Sequence, residues 1–138
     1  MGDPTKTTER PTSRRIPAPG QNLESKPFWD AAVEGRFLIK RCTACRKAHW
    51  YPRNMCPFCH SLDTVWEESP GEGAIYTYSV MRRNTPVPYC IAYVTLDEGV
   101  SVLTNIIEFG DAPHIGQRVK VKWTPTEGGP PVFTFAPV

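Results

Sequence analysis

From residue 74 onward, apolar and polar positions alternate in short runs. Ala74 to Met81, Tyr89 to Leu96, Val100 to Ile107, Arg118 to Thr124 and Val132 to Ala136 each carry the two-residue period of a half-buried strand. Gly, Pro, Asp and Asn separate them. Asp97-Glu98-Gly99 has the residues of a tight hairpin turn, and the longer gap from Glu108 to Gly116 is where a five-stranded Greek-key barrel crosses over. An OB-type barrel is therefore expected over residues 67–138. Before it the period changes. Phe28, Trp29, Ala32 and Val33 recur at helical spacing, with Ser25 as a cap, Pro27 in the first turn and Gly35 as a stop. That face must pack on something, in the chain or outside it. Phe37 to Arg41 reads as a strand, and Trp50 to Arg53 as its return. Residues 1–22, with four prolines and few large aliphatics, read as a flexible arm.

Composition sharpens this picture. Fifteen prolines and ten glycines in 138 residues leave little room for long helices, so the fold is expected to be mainly β with one short N-terminal helix. No apolar stretch approaches the roughly 20 residues of a membrane span, and the first residues have no apolar run that would direct secretion. A cytoplasmic protein that makes no use of a membrane is the expectation.

Cysteine carries the chemistry. Cys42-Thr43-Ala44-Cys45 and Cys56-Pro57-Phe58-Cys59 form two pairs with ten residues between them. Each Cys-x-x-Cys aims two thiolates at one point from a tight turn, so the two turns close around one ion as in a rubredoxin-like zinc ribbon. Two disulfides are the alternative, in conflict with the absence of a secretory signal. Residues 23–66 thus read as helix plus ribbon. About 25 residues of ribbon cannot stabilise themselves by apolar burial, which leaves the metal as the main source of local folding free energy. The ligands are Cys42, Cys45, Cys56 and Cys59, and the ion is zinc, although the same set accepts iron. Arg46 and His60 stand where a glycine often follows a knuckle, at positions that tend toward left-handed backbone.

The formal charge of +2 falls to zero once four thiolates hold a divalent ion, so overall charge favours no partner. Arg36, Lys40, Arg41, Arg46, Lys47 and Arg53 nevertheless crowd a stretch, residues 36–62, that holds no Asp or Glu. They either offset the thiolates or face an anion.

Several short motifs recur together: Phe28-Trp29 before Glu34-Gly35-Arg36-Phe37, Arg41-Cys42-Thr43-Ala44-Cys45, Tyr51-Pro52-Arg53 before Cys56-Pro57-Phe58-Cys59, Gly71-Glu72-Gly73-Ala74-Ile75-Tyr76, Pro88-Tyr89 before Ala92-Tyr93-Val94, Leu96-Asp97-Glu98-Gly99-Val100, and Ile115-Gly116-Gln117-Arg118-Val119. In this order, over residues 27–138, the chain resembles the acyl-CoA-associated OB-fold family catalogued as domain of unknown function thirty-five. The resemblance implies an accessory, non-catalytic subunit. Its partner would be a thiolase-superfamily enzyme or an enoyl-CoA hydratase chain, and it would help form the acyl-CoA site of a complex that degrades steroid or aromatic side-chain thioesters. It further implies a two-plus-two assembly whose catalytic residues lie on the partner, with coenzyme A thioester shared between them.

Residue by residue, Arg82, Arg83 and Tyr89 are the candidates for coenzyme A contact, with the ribbon cations as further charge for its phosphates and Tyr76, Tyr78 or Trp50 as further flat rings for its adenine. Phe28, Trp29, Val33 and Trp50 are the candidates for the partner-docking face. Cys90 reads as a small buried hydrophobe, and His49 and His60 as solvated groups or neighbours of the metal ligands. Two readings of other classes stand beside this one: a single-stranded nucleic-acid binder, since OB barrels pair aromatic platforms with basic grooves, and a rubredoxin-like electron carrier holding iron.

Overall fold

The computed structural model describes residues 14–138; the greater part of the expected N-terminal arm, residues 1–13, lies outside the described residues. Helix α1, Lys26–Val33, starts where Pro27 fits the first turn and ends at Gly35, whose φ of 75° is the left-handed conformation a helix stop favours. Ser25 makes no side-chain cap. Its N–H instead donates to Asn22 Oδ1 at 2.8 Å, fixing the turn ahead of the helix.

Three strands follow: β1, Phe37–Cys42; β2, Ala48–His49; and β3, Thr64–Ser69, in the antiparallel order β2-β1-β3. The expected return strand at Trp50 to Arg53 is corrected here. Pairing falls earlier, with Lys40 opposite His49 and Arg41 opposite Ala48, because Trp50 is drawn into an aromatic cluster instead of extending the ladder. Strand β3 was not anticipated, yet it pairs with all of β1, from Phe37 opposite Ser69 to Cys42 opposite Thr64.

The barrel strands are β4, Glu72–Met81; β5, Tyr89–Leu96; β6, Ser101–Ile106; β7, Arg118–Thr124; and β8, Val132–Pro137, closed in the order β4-β5-β6-β8-β7. All five lie within two residues of the alternating runs. The fold is thus mainly β, a short helix and ribbon leading into a closed five-stranded OB-like barrel. Closure between β6 and β8 is parallel and rests on one pair, Ile106 opposite Phe135. Gly71 and Gly73 let β4 approach its neighbours. A Cβ at Gly71, where φ is 69°, would lie 2.3 Å from Val121 Cγ1, and one at Gly73 would lie 2.4 Å from the Thr95 carbonyl oxygen. The hairpin turn after Leu96 forms as expected, with Gly99 at φ 90° donating to the Leu96 carbonyl.

Inside the barrel, Ile75, Val94, Leu96, Val102, Ile106, Val119 and Phe135 are fully buried, and burying each such side chain stabilises the fold by about 1.5–3 kcal/mol. This core is continuous with that of the helix and ribbon. Phe28 marks the junction: its ring centroid lies 4.6 Å from Trp50, 4.9 Å from Trp29, 5.9 Å from both Phe37 and Phe133, and 6.3 Å from Trp123. Helix, ribbon and barrel each contribute rings to one cluster. Segment 14–18 lies along the barrel, where the Glu127 N–H donates to the Ile16 carbonyl at 2.9 Å and Arg15 pairs with Glu127 at 2.5 Å. No helix among the described residues is long and apolar enough to cross a membrane.

Candidate metal centre and binding surfaces

The end of β1 delivers Cys42, and the loop before β3 delivers Cys56 and Cys59. The four sulfurs lie within 4.8 Å of one another, with Cys42 Sγ to Cys59 Sγ at 3.5 Å and Cys45 Sγ to Cys56 Sγ at 3.7 Å. A regular tetrahedron with zinc–sulfur bonds of about 2.3 Å has edges of about 3.8 Å, so the cage fits that ion. Backbone geometry makes the cage. Arg46 and His60 adopt φ of 66° and 64°, the left-handed turn expected after each knuckle, and the N–H groups of Cys45 and Phe58 point at Cys42 Sγ and Cys56 Sγ at 3.4 Å.

Those contacts also set the proton affinities of the thiols. Burial opposes ionisation of Cys56, but the N–H groups of Cys59 and Phe58 and the thiols of Cys45 and Cys59 outweigh it and bring the group down to about 7. At Cys59 the Ser61 N–H favours the thiolate. The three other cysteines, with burial, prevail and push it up to about 11. Four sulfurs this close cannot all be anionic without a cation among them, which is the demand a divalent ion meets. All four positions are protein thiolates, so the ion would hold structure and offers no open position for a reacting group.

The neighbouring histidines divide. His49, expected to be solvated or a neighbour of the metal ligands, is buried, with Nε2 3.3 Å from the Arg53 carbonyl; burial first, then the charges of Lys40 and Arg53, hold it below its ordinary proton affinity, against the carbonyl's pull. His60 is exposed. Cys90 is buried on β5 as expected, and burial pushes its thiol up.

The expected docking residues are placed differently. Phe28 is 1% exposed and Trp29 8%, both inside the junction cluster, whereas Val33 is 70% exposed. Trp50 is half-buried against Phe28. The helix face that periodicity identified therefore packs within the chain, and its two large aromatics are withdrawn from the surface. Only Val33 of the four is fully on the outside.

Among the residues considered for coenzyme A, Arg82 and Arg83 lie exposed in the loop after β4, and the Arg82 guanidinium is held by the Asp111 carbonyl. Tyr89 begins β5, with the Arg14 guanidinium 3.8 Å above its ring. It lines a groove of about 340 Å³ with Arg14, Ile16, Val87, Ile107 and Phe109. Arg82 and Arg83 are not among the residues lining that groove. Singly, Tyr76 is a candidate ring for adenine; what sequence reasoning missed is that it belongs to an apolar outward face of β4, β5 and β6. Tyr76, Ile91, Tyr93 and Leu103 are all exposed there, and the alternation in each strand was the signal that could have found them.

Comparison with known proteins follows the same division of the chain. Residues 29–65 match the family described as the ChsH2 rubredoxin-like zinc ribbon domain, and residues 66–124 match the ChsH2 C-terminal OB-fold domain. A protein of Thermomonospora curvata named probable enoyl-CoA hydratase alpha subunit is 32% identical over 125 residues, which is 86% of this chain and 39% of that protein. A DUF35 domain-containing scaffold protein of Methanothermobacter thermautotrophicus is 32% identical over 90 residues, 59% of this chain and 66% of that one. The chain thus spans less than two thirds of the length of either relative. Among solved structures, the Ltp2-ChsH2(DUF35) aldolase contains a chain that superposes with a TM-score of 0.72 at 32% identity, covering 86% of this chain and 98% of that one. A DUF35 protein of unknown function from Sulfolobus solfataricus superposes with a TM-score of 0.63 at 12% identity, over 86% of this chain and 87% of that one, a likeness of fold alone.

Proposed function

Because the chain belongs to the ChsH2 family of a rubredoxin-like zinc ribbon joined to an OB-fold domain, we propose that it is the accessory subunit of an acyl-CoA aldolase complex of the thiolase-like kind. One observation carries the reading: in an aldolase of known structure, a chain that this one matches over 98% of its length stands beside Ltp2. The partner supplies the groups that break the carbon–carbon bond of a 3-hydroxyacyl-CoA thioester. This chain supplies shape. It docks on the large subunit, orders the loops that receive the coenzyme A tail, and raises turnover by fixing geometry in advance.

The four thiolates of Cys42, Cys45, Cys56 and Cys59 would hold zinc, whose contribution is to keep the ribbon folded. The groove at Tyr89, with the Arg14 guanidinium above it, is the place on this chain best suited to an anionic, partly apolar tail such as that of coenzyme A. Two such assemblies around a dimeric partner would give the two-plus-two complex. A second reading has its own support, since the Thermomonospora relative is named as a subunit of an enoyl-CoA hydratase. There the same platform would serve hydration instead of cleavage.

The test is reconstitution. The Ltp2 chain of the related aldolase, assayed with a 3-hydroxyacyl-CoA whose retro-aldol products are a ketone and a shorter acyl-CoA, should turn over at least tenfold faster with this protein present. Equal rates with and without it would refute the accessory role, and stimulation of an enoyl-CoA hydratase chain alone would favour the second reading.

A further inference from the structure

The barrel surface divides by charge. On β7 the outward residues Arg118, Lys120 and Lys122 are all ion-paired, with Asp97 at 2.7 Å, Glu72 at 3.8 Å and Glu108 at 2.6 Å. Past Glu72 and Ala74 on β4, and on β5 and β6, the outward positions Thr77, Ser79, Met81, Ile91, Tyr93, Ser101, Leu103 and Asn105 hold no charge. Cross-strand pairing lines them up: Thr77 opposite Tyr93 opposite Leu103, and Ser79 opposite Ile91 opposite Asn105. A bulge between Ile75 and Thr77 turns Tyr76 outward as well. Tyr76 is 69% exposed, Leu103 53%, Tyr93 46% and Ile91 42%, and together they present on the order of 400 Å² of largely apolar surface, the size at which a patch on a monomer is commonly functional.

We propose that this face is where the chain docks on the large subunit, a surface distinct from the helix; the inference rests on the accessory-subunit reading above. Three features choose the occupant. The centre of the face, at Tyr76, Ile91 and Tyr93, carries no charge, and Arg14 and Arg15 stand at its Leu103–Asn105 border. The face itself therefore offers little to the phosphates of a nucleic acid, whose binding depends on neutralising them. The outside of a closed barrel is convex, so two copies set face to face meet over too little area for the roughly 800 Å² that each side of a stable interface requires. A larger protein with a concave seat meets both conditions. Finally, Tyr78, Ile91, Tyr93 and Leu103 border a hollow of about 190 Å³, room for one partner side chain to anchor. Tyrosine and aliphatic residues without Lys, Glu or Asp are the composition found at the centre of such contacts.

The experiment measures binding of the zinc-loaded protein to the Ltp2 chain by isothermal titration or interferometry. Ile91→Glu and Tyr93→Glu, both at outward positions, should each weaken binding at least tenfold, while Tyr93→Phe and, on the ion-paired face, Lys120→Ala bind as the unaltered protein does. Zinc content and circular dichroism confirm that each variant is folded. If the glutamate variants are folded and bind normally, the docking surface is wrong and the accessory role stands. If the unaltered protein fails to bind Ltp2, both fall. If it instead sediments as a dimer that Tyr93→Glu dissociates, the occupant is a second copy, and the proposal is overturned.

Discussion

Phe28 is the side chain on which helix, ribbon and barrel converge, and its removal tests whether the three behave as one cooperative unit. Phe28→Ala deletes a ring that is 1% exposed and lies within 6.3 Å, centroid to centroid, of five other aromatic rings. Its neighbours Trp29, Trp50 and Trp123 are too large to collapse into the space, so the cost should sit near the top of the usual range for a buried aromatic, about 4–5 kcal/mol. For a chain of this size each kcal/mol lowers Tm by about 3–5 °C, which predicts a fall of about 12–25 °C. Those same tryptophans report the result. In the unaltered protein, tryptophan fluorescence and far-ultraviolet dichroism should trace one melting curve, whereas in the variant the fluorescence transition should come first. A Tm within 3 °C of the original, with coincident curves, would refute the claim that the junction unites the parts.

Other perturbations test other joints. Cys56→Ser removes one corner of the sulfur cage and should take zinc, measured by mass spectrometry of the acid-digested protein, well below one ion per chain; retention of a full equivalent would mean that some other group completes the site. Gly71→Ala places a methyl against Val121 at a positive φ and should cost more than about 1 kcal/mol, whereas Gly99→Ala, with a positive φ but open space, should cost less; equal losses in denaturant midpoint would contradict the steric argument. The carboxyl of Asp97 is held below its ordinary value chiefly by hydrogen bonds from Arg118. A depressed folded value means that the pair's contribution is complete above the unfolded value of about 4 and is lost as pH falls through the folded one. Asp97→Asn should therefore flatten the acid limb of a Tm-against-pH curve, and an unchanged limb would show the pair to be inert.

The barrel was legible because its strands alternate, and alternation is decided by which face meets the core. The knuckles were legible for a similar reason: two Cys-x-x-Cys turns at this spacing have few other solutions, and the left-handed residues Arg46 and His60 followed from the turn itself. Strand β3 was not. Its sequence Thr-Val-Trp-Glu-Glu-Ser carries two adjacent acids, and what makes it a strand is a partner far away in the chain: Glu67 pairs with Arg41 at 2.5 Å and Glu68 with Arg36 at 3.4 Å. The fate of Phe28 and Trp29 was hidden in the same way. Helical spacing states that a face is apolar and must be covered, but part of the cover over Phe28 comes from Trp123 and Phe133 at the other end of the sequence, beside Phe37 and Trp50 of the ribbon.

The crowded cations of residues 36–62 show how such long-range pairing alters a functional reading. Taken along the chain they form an unbroken basic patch, a fair candidate for phosphate binding. In three dimensions half of it is already engaged. Arg36 meets Glu34 and Glu68, Arg41 meets Glu67, and Lys40 is buried with its ammonium 4.4 Å over the Trp66 ring, its proton affinity lowered by that burial despite Glu24. Arg46, Lys47 and Arg53 form no carboxylate pair among the described residues. They sit beside the knuckles, Lys47 with its ammonium 5.1 Å from the Phe58 ring. A four-thiolate site carrying a divalent ion retains a charge of about −2, which cations at this range stabilise. The patch is therefore largely accounted for by the metal centre and β3, whereas the apolar barrel face is, among the described residues, a surface to which no such intramolecular pairing answers.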